Sequence, residues 1–108
     1  MHGFVFRLVP PRSDFPFTMT DDERSTMVDH VAYWTRLAGA GSVLDFGPVA
    51  DPVGPSGIGI VPVEDLGAAE ALRDADPAVL SSHGFTTEIT PVLSLVAPTV
   101  GSTPTDPP

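Results

Sequence analysis

The sequence contains no cysteine, and all five of its basic side chains are arginine, so lysine is absent too. The absence of cysteine excludes disulfides, thiolate nucleophiles and cysteine-ligated metals, and it favours a cytoplasmic location. The absence of lysine excludes Schiff-base chemistry. Fourteen acidic residues give a formal net charge of -9, which leaves no basic surface for phosphates, so we expect no nucleic-acid partner.

Long hydrophobic runs are also absent. No apolar segment approaches the roughly 18 to 20 residues that span a bilayer, so we expect no membrane partner. The apolar start of the chain is interrupted by Arg7 and has no basic region before it, which favours a first strand over a signal peptide. The histidines lack further ligands at metal-binding spacing, and Gly54, Gly57 and Gly59 lack the spacing of a nucleotide-binding loop, so we expect neither a metal nor a cofactor.

The remaining composition is sufficient for one domain, since 42% of the 108 residues are hydrophobic. Runs of β-forming residues predict four strands, at 4–9, 42–49, 58–63 and 85–92. Two helices are predicted between them, at 21–38 and 64–75.

Capping and breaking residues mark the ends of these helices. Thr20 and Glu23 fit a capping box at the start of the first helix, and the dipeptide Asp76-Pro77 ends the second. We expect the domain to span residues 1–96. A tail over 97–108, rich in proline and threonine, is predicted to be disordered because it cannot bury enough apolar surface.

The order β-α-β-β-α-β is typical of ferredoxin-like folds of the α+β class, in which two helices cover one face of a four-stranded antiparallel sheet. The first strand places Phe4, Phe6 and Leu8 on one face. Val5 and Val9 lie on the other face, so both faces are largely apolar. We therefore predict a homodimer in which a second copy covers the other face. The alternative is that the tail or the loop after the first strand folds over it.

One histidine, His30, falls within the apolar stripe of the first helix, between Met27 and Val31. A histidine there is more often a core or interface group than a catalyst. Beside a carboxylate, however, a partly desolvated imidazole exchanges protons near neutral pH and serves as a general base. We group Asp45, in the second strand, and Asp51, in the turn after it, with His30 as candidate catalytic residues. Asp51 also has an alternative explanation as an ordinary turn residue, because aspartate before proline favours turns.

Three further residues are candidate substrate-binding groups. Arg7 suits an anionic substrate if it faces the pocket, although a salt bridge with Glu88 explains it equally well. Trp34 suits an aromatic substrate, although core packing is the usual role of a tryptophan in a helix stripe. Asp76 is the third candidate, although its position at the end of the predicted second helix also explains it.

Four segments form a distinctive set, with a helix histidine, a Gly-Pro after the second strand and an Asp-Pro after the second helix. In chain order they are Met27–Trp34, Gly41–Pro52, Gly57–Ile60 and Ala75–Pro77. Over residues 3–92 they resemble the YciI-like proteins, the family with a YCII-related domain. The resemblance implies a ferredoxin-like protomer that pairs into a dimeric α+β barrel, with an active site around the helix histidine and a nearby aspartate. Most members of that family have no assigned reaction, although dehydrochlorination of a chlorinated hydroxyquinol is known within it.

The sequence departs from this family's pattern in three places. Ser56 stands where many similar relatives have an aromatic residue, and Thr86-Thr87 replaces a more basic and aromatic pair. The chain also continues beyond Leu93, where the family usually ends. These departures affect the expected pocket more than the expected fold.

Two functional hypotheses follow. The first is a cofactor-independent lyase or isomerase that acts on a small molecule by general acid/base catalysis, using His30 and an aspartate. The alternative is a non-catalytic dimer that binds a small ligand or has a regulatory role. A structural accessory of another enzyme is a third interpretation, and the sequence leaves open which aspartate partners His30.

Overall fold

The computed structural model describes residues 3–94, and the predicted disordered tail, 97–108, lies outside them, as do both ends of the predicted 1–96 domain. Within this range the strands are β1 (Gly3–Val9), β2 (Asp45–Val49), β3 (Ser56–Val61) and β4 (Thr86–Val92). The helices are α1 (Phe15–Thr18), α2 (Asp21–Gly39), α3 (Leu66–Asp74) and α4 (Pro77–Leu80).

The four strands form one antiparallel sheet in the order β2-β3-β1-β4. Across it, Leu8 of β1 pairs with Gly57 of β3 on one side and with Thr87 of β4 on the other. Pro48 of β2 pairs with Gly57 from the far side. The long helix α2 follows β1, and α3 follows β3, which is the predicted order. The α+β, ferredoxin-like prediction is therefore confirmed.

The core lies between one face of the sheet and the helices. The rings of Phe6 in β1 and Trp34 in α2 meet edge to face, with centroids 5.6 Å apart. A second cluster joins Leu8 to Phe15 of α1 and to Phe85, and the two phenyl centroids are 5.1 Å apart. Edge-to-face aromatic pairs of this kind add to the stability gained from burial alone.

The opposite face of the sheet points away from this core. Val5 and Val9 of β1 and Ile58 and Ile60 of β3 lie on it, and each is half-buried. Arg7 lies among them, because residues alternate between faces along a strand. The predicted homodimer through this face stays a prediction.

The start of α2 has the capping box that the sequence predicts. The hydroxyl of Thr20 accepts a hydrogen bond of 3.1 Å from the backbone N–H of Glu23. The carboxylate of Glu23 in turn accepts one of 2.8 Å from the backbone N–H of Thr20. Two of the N–H groups that lack partners at a helix start are thus satisfied.

The two short helices are features that the sequence predictions missed. α1 lies in the segment predicted as a loop, with Pro16 in its first turn, and α4 begins directly after Asp76. Proline ends the preceding helix but also suits the first turn of a new one, because its missing N–H has no partner there. β2 also begins at Asp45 rather than at residue 42.

Candidate active site

His30 of α2 contacts Asp76, which lies 46 residues later, between α3 and α4. Its Nδ1 is 2.8 Å from Oδ1 and 2.9 Å from Oδ2 of the Asp76 carboxylate. The His30 side chain is 13% exposed and that of Asp76 is 3% exposed. The carboxylate is therefore enclosed, whereas part of the imidazole remains accessible.

Two further N–H groups hold the Asp76 carboxylate in place. The indole of Trp34 donates a 2.8 Å hydrogen bond to Oδ2, and the backbone N–H of Ala78 donates one of 2.9 Å to Oδ1. The second bond makes Asp76 the N-cap of α4. A buried carboxylate requires such partners. The turn that begins α4 and the core tryptophan together fix the group that orients His30.

This arrangement assigns the hydrogen on the imidazole. Because both oxygens of Asp76 already accept hydrogen bonds, we place a hydrogen on Nδ1 of His30, which donates it to the carboxylate. Nε2 then carries the free electron pair of the neutral ring. Nε2 has no hydrogen-bond partner among residues 3–94, and His30 forms part of a cavity wall. The imidazole that Asp76 orients is thus part of the wall of this cavity.

The cavity lies between the sheet and α2 and has a volume of about 330 Å³, within the range of small-molecule sites. Its walls are mainly apolar side chains from the sheet, α1, α2 and the loops, among them Leu8, Phe15, Met27, Trp34, Phe46 and Phe85. The described lining includes no arginine, and its only acidic residue is Asp76. Such a site suits an uncharged molecule.

Trp34 both lines this cavity and belongs to the core. Its side chain is 4% exposed, packs against Phe6 and Tyr33, and donates its N–H to Asp76. The structure therefore gives it a positioning contact with the carboxylate. Its predicted substrate-binding role stays a prediction.

Asp45 and Asp51, which the sequence groups with His30 as candidate catalytic residues, do not contact it, and their catalytic role stays a prediction. Asp45 is exposed, pairs in register with Ile60 on the face away from α2, and accepts a hydrogen bond from the adjacent Phe46 N–H. Asp51 lies in the β2–β3 turn and accepts from the N–H of Val53. Strand alternation and turn geometry explain both placements.

Arg7, predicted to bind substrate, lies on the opposite face of the sheet from His30. Its guanidinium donates a 2.9 Å hydrogen bond to the hydroxyl of Ser56 and lies 3.5 Å from the Asp51 carboxylate. Glu88, the salt-bridge partner considered from the sequence, is its register neighbour on β4. These residues line a second cavity of about 460 Å³ on that face. Arg7 is thus placed away from the His30 cavity, and its ion pair is with Asp51.

Part of the His30 cavity wall comes from the segment between β1 and α2, which the sequence predictions did not connect with the site. Phe15 and Met19 of this segment line the cavity. Arg12 fastens the segment to α2 through hydrogen bonds of 2.7 and 2.8 Å to the two carboxylate oxygens of Glu23. These hydrogen bonds, with that from Thr20, lower the pKa of Glu23 to about 2. In the sequence, the only signal that relates to this attachment is the capping box, which places Glu23 at the start of α2.

Comparison with known proteins identifies the family. The sequence profile of the YCII-related domain matches residues 5–93. The chain therefore belongs to the YCII-related family, as its resemblance to YciI-like proteins implied. No curated protein matches it. Among the described residues no helix is long and apolar enough to cross a membrane, and no three histidine, aspartate or glutamate side chains converge as metal ligands would.

Proposed function

We propose that this protein is a small-molecule enzyme that transfers a proton by general acid/base catalysis, as a lyase or an isomerase does, without a cofactor. The observation that carries the proposal is the orientation of His30. Its Nδ1 is held 2.8 Å from the Asp76 carboxylate, and the ring lies at the wall of an apolar cavity. A histidine fixed through one nitrogen and free at the other has the geometry of a general base.

The reaction starts when a substrate in the cavity presents an acidic C–H to Nε2 of His30. The imidazole takes the proton, and the electron pair of the C–H bond moves into the substrate to form a double bond. In a lyase, that electron pair expels a leaving group from the neighbouring atom. In an isomerase, the imidazolium returns the proton to a different carbon. While the imidazole of His30 holds the transferred proton, the Asp76 carboxylate stabilises its positive charge.

The second candidate is ligand binding without chemistry, and the composition of the cavity favours it. Its polar side chains are few, and Asp76 is already occupied by three N–H groups. An apolar cavity of this size binds a small molecule through burial alone. The two functions differ only in what happens to a bound molecule that carries an acidic C–H.

We also propose that two copies of the chain pair through the sheet faces that point away from the helices. Val5, Val9 and Ile58 leave that face apolar at its centre. Arg7 and Asp51 on the same face pair with each other, so the charges that such a pairing would bury are already compensated within each chain. Sedimentation velocity at micromolar concentration is expected to give the mass of two chains. A single-chain mass would contradict this pairing.

A deuterium-exchange assay tests the catalytic proposal. Uncharged cyclic ketones with acidic hydrogens, such as 2-indanone, are incubated with the protein in D₂O, and loss of the C–H signal is followed by proton NMR. We expect the wild-type protein to accelerate exchange and His30→Gln to abolish the acceleration. His83→Gln is the control, because His83 lies in the loop between α4 and β4, and it should leave the rate unchanged.

The same assay distinguishes the two functions. Equal exchange rates for the wild-type protein and His30→Gln would contradict a proton-transfer role for His30. Binding of the ketone, seen as chemical-shift changes in the cavity residues, without any acceleration of exchange would favour the ligand-binding function.

A further inference from the structure

Two glycines of β3 face the His30 cavity from the sheet. Gly59 pairs with Phe6, and Gly57 pairs with Leu8, and both phenylalanine and leucine side chains are buried on the helix-facing side. Residues two apart on a strand share a face and lie about 7 Å apart. β3 therefore exposes two neighbouring patches of bare backbone to the layer between sheet and helix.

The first patch is covered by an aromatic ring of the protein itself. A Cβ built on Gly59 would lie 3.0, 3.4 and 3.6 Å from three atoms of the six-membered ring of Trp34. The indole thus packs directly against backbone, closer than any side chain at residue 59 would permit. This contact shows that a flat aromatic ring fits against the bare strand.

The second patch is open to the cavity. A Cβ built on Gly57 would meet only the Cβ of Leu8, at an ordinary distance of 3.5 Å. Gly57 lines the same cavity as His30. The backbone at Gly57 is thus as bare as that at Gly59. Among the described residues, however, no side chain lies on it.

An independent observation concerns the same cavity, on the far side of Leu8 from Gly57. The hydroxyl oxygen of Thr87 is buried and has no hydrogen-bond partner within residues 3–94. Thr87 lines the cavity and pairs with Leu8 from the side opposite Gly57. A buried hydroxyl without a partner is costly. Its oxygen is closed to a molecule the size of water, so a ligand oxygen would supply the missing hydrogen bond once the Thr87 side chain turns toward the cavity.

We propose that Gly57 determines the specificity of the cavity by admitting a planar, uncharged ring that lies on the bare backbone of β3 beside Trp34. An oxygen substituent of that ring accepts a hydrogen bond from Thr87, and its edge faces Nε2 of His30. This assignment of a ligand class rests on the proposed function of the His30 cavity. A side chain at residue 57 would occupy the position of the ring.

Paired probes of equal skeleton but different shape test the proposal. 2-Naphthol is flat, whereas decahydro-2-naphthol has the same carbon skeleton and hydroxyl group but is puckered. Dissociation constants for both are measured by chemical-shift titration of the ¹⁵N-labelled protein. We expect 2-naphthol to bind about tenfold more tightly than the puckered compound. Equal affinities would overturn the proposal.

Substitution at residue 57 is the second part of the test. Gly57→Ala adds a methyl group at an ordinary contact distance from Leu8, so the variant should fold. It is expected to weaken 2-naphthol binding about tenfold or more, since one carbon in a fitted site has that effect. Gly39→Ala is the control, because Gly39 lies at the end of α2, outside the cavity lining, and its Cβ would meet nothing within 4 Å. Wild-type affinity in Gly57→Ala would overturn the proposal.

The outcomes separate this inference from the proposed function. If both probes bind with equal affinity and shift the His30 signals, the cavity still binds ligands and only the role of Gly57 is wrong. If neither probe binds at millimolar concentration, both the ligand-binding cavity and the role of Gly57 are contradicted.

Discussion

Asp76 holds Nδ1 of His30 at 2.8 Å and, with the same carboxylate, caps the start of α4. One buried group therefore links the orientation of the imidazole to the local structure of the chain between α3 and β4. A substitution at Asp76 should change both together. This coupling distinguishes a positioned histidine from one that merely packs in the core.

Asp76→Asn is expected to destabilise the protein by about 1 to 3 kcal/mol, because buried donors lose their acceptor. The amide keeps one oxygen, and three N–H groups then compete for it, those of His30, Trp34 and Ala78. Urea denaturation measures the change in the free energy of unfolding. Proton exchange at Nδ1 of His30, followed by ¹⁵N NMR, should also become faster.

Asp65→Asn is the control for this prediction. Asp65 caps α3 through a 2.8 Å hydrogen bond from the N–H of Ala68 and is exposed. Asparagine caps helices about as well as aspartate, so the stability should hardly change. A similarly small change in Asp76→Asn would show that the bonds to His30 and Trp34 contribute nothing measurable.

Gly59→Ala is expected to displace the indole of Trp34. The added Cβ would stand 3.0 Å from a ring carbon, and overpacking of this kind typically costs about 1 to 3 kcal/mol. The tryptophan fluorescence spectrum should shift, since the indole N–H moves relative to Asp76. Gly47→Ala is the control. Its Cβ would meet nothing within 4 Å, so both stability and fluorescence should stay as in the wild-type protein. Unchanged fluorescence in Gly59→Ala would contradict the close packing of ring on backbone.

The fold could be predicted from local signals because those signals agree with one another. Alternating apolar residues such as Phe4 and Phe6 mark one face of β1, and the Thr20–Glu23 capping box marks the start of α2. The short helices α1 and α4 escaped prediction because single turns have no apolar period. Their only sequence signs are the prolines in their first turns.

The site was only partly predictable, since His30 stands out in an apolar stripe but its partner depends on tertiary contacts. Asp45 and Asp51 are nearer in sequence, yet the pleat of β2 and its turn direct them away from α2. In the sequence, the dipeptide Asp76-Pro77 indicates only the end of a helix. The role of Asp76 as an N-cap also aims its carboxylate inward, and only the packing of α4 on α2 brings it to His30.

The stability of the protein should fall in acid as Glu23 is protonated. Its hydrogen bonds to Arg12 and Thr20 hold its pKa at about 2, below the ordinary value of 4.5. A carboxyl group whose pKa is lowered in the fold stabilises it above the unfolded pKa, and this contribution is lost as the pH falls from about 4.5 to about 2. Thermal unfolding midpoints across this range measure the loss.

Glu23→Gln should flatten this part of the pH profile, because the neutral amide cannot be protonated and pairs weakly with Arg12. Glu64→Gln is the matched control, since Glu64 is exposed ahead of α3. Its profile should follow that of the wild-type protein. If Glu23→Gln retained the full acid dependence, the loss of stability would have to come from other carboxylates.

Thr87→Val is expected to have opposite effects on stability and on binding. Replacing a buried hydroxyl that lacks a partner by a methyl group of similar shape removes a desolvation cost, so the free energy of unfolding should rise by about 1 kcal/mol. Affinity for 2-naphthol should fall, because the ligand oxygen loses its donor. Thr90→Val, on the face of the same strand that points away from the cavity, should leave the affinity unchanged. A Thr87→Val variant that is no more stable and binds as tightly as the wild-type protein would show that this hydroxyl is neither a buried cost nor a ligand contact.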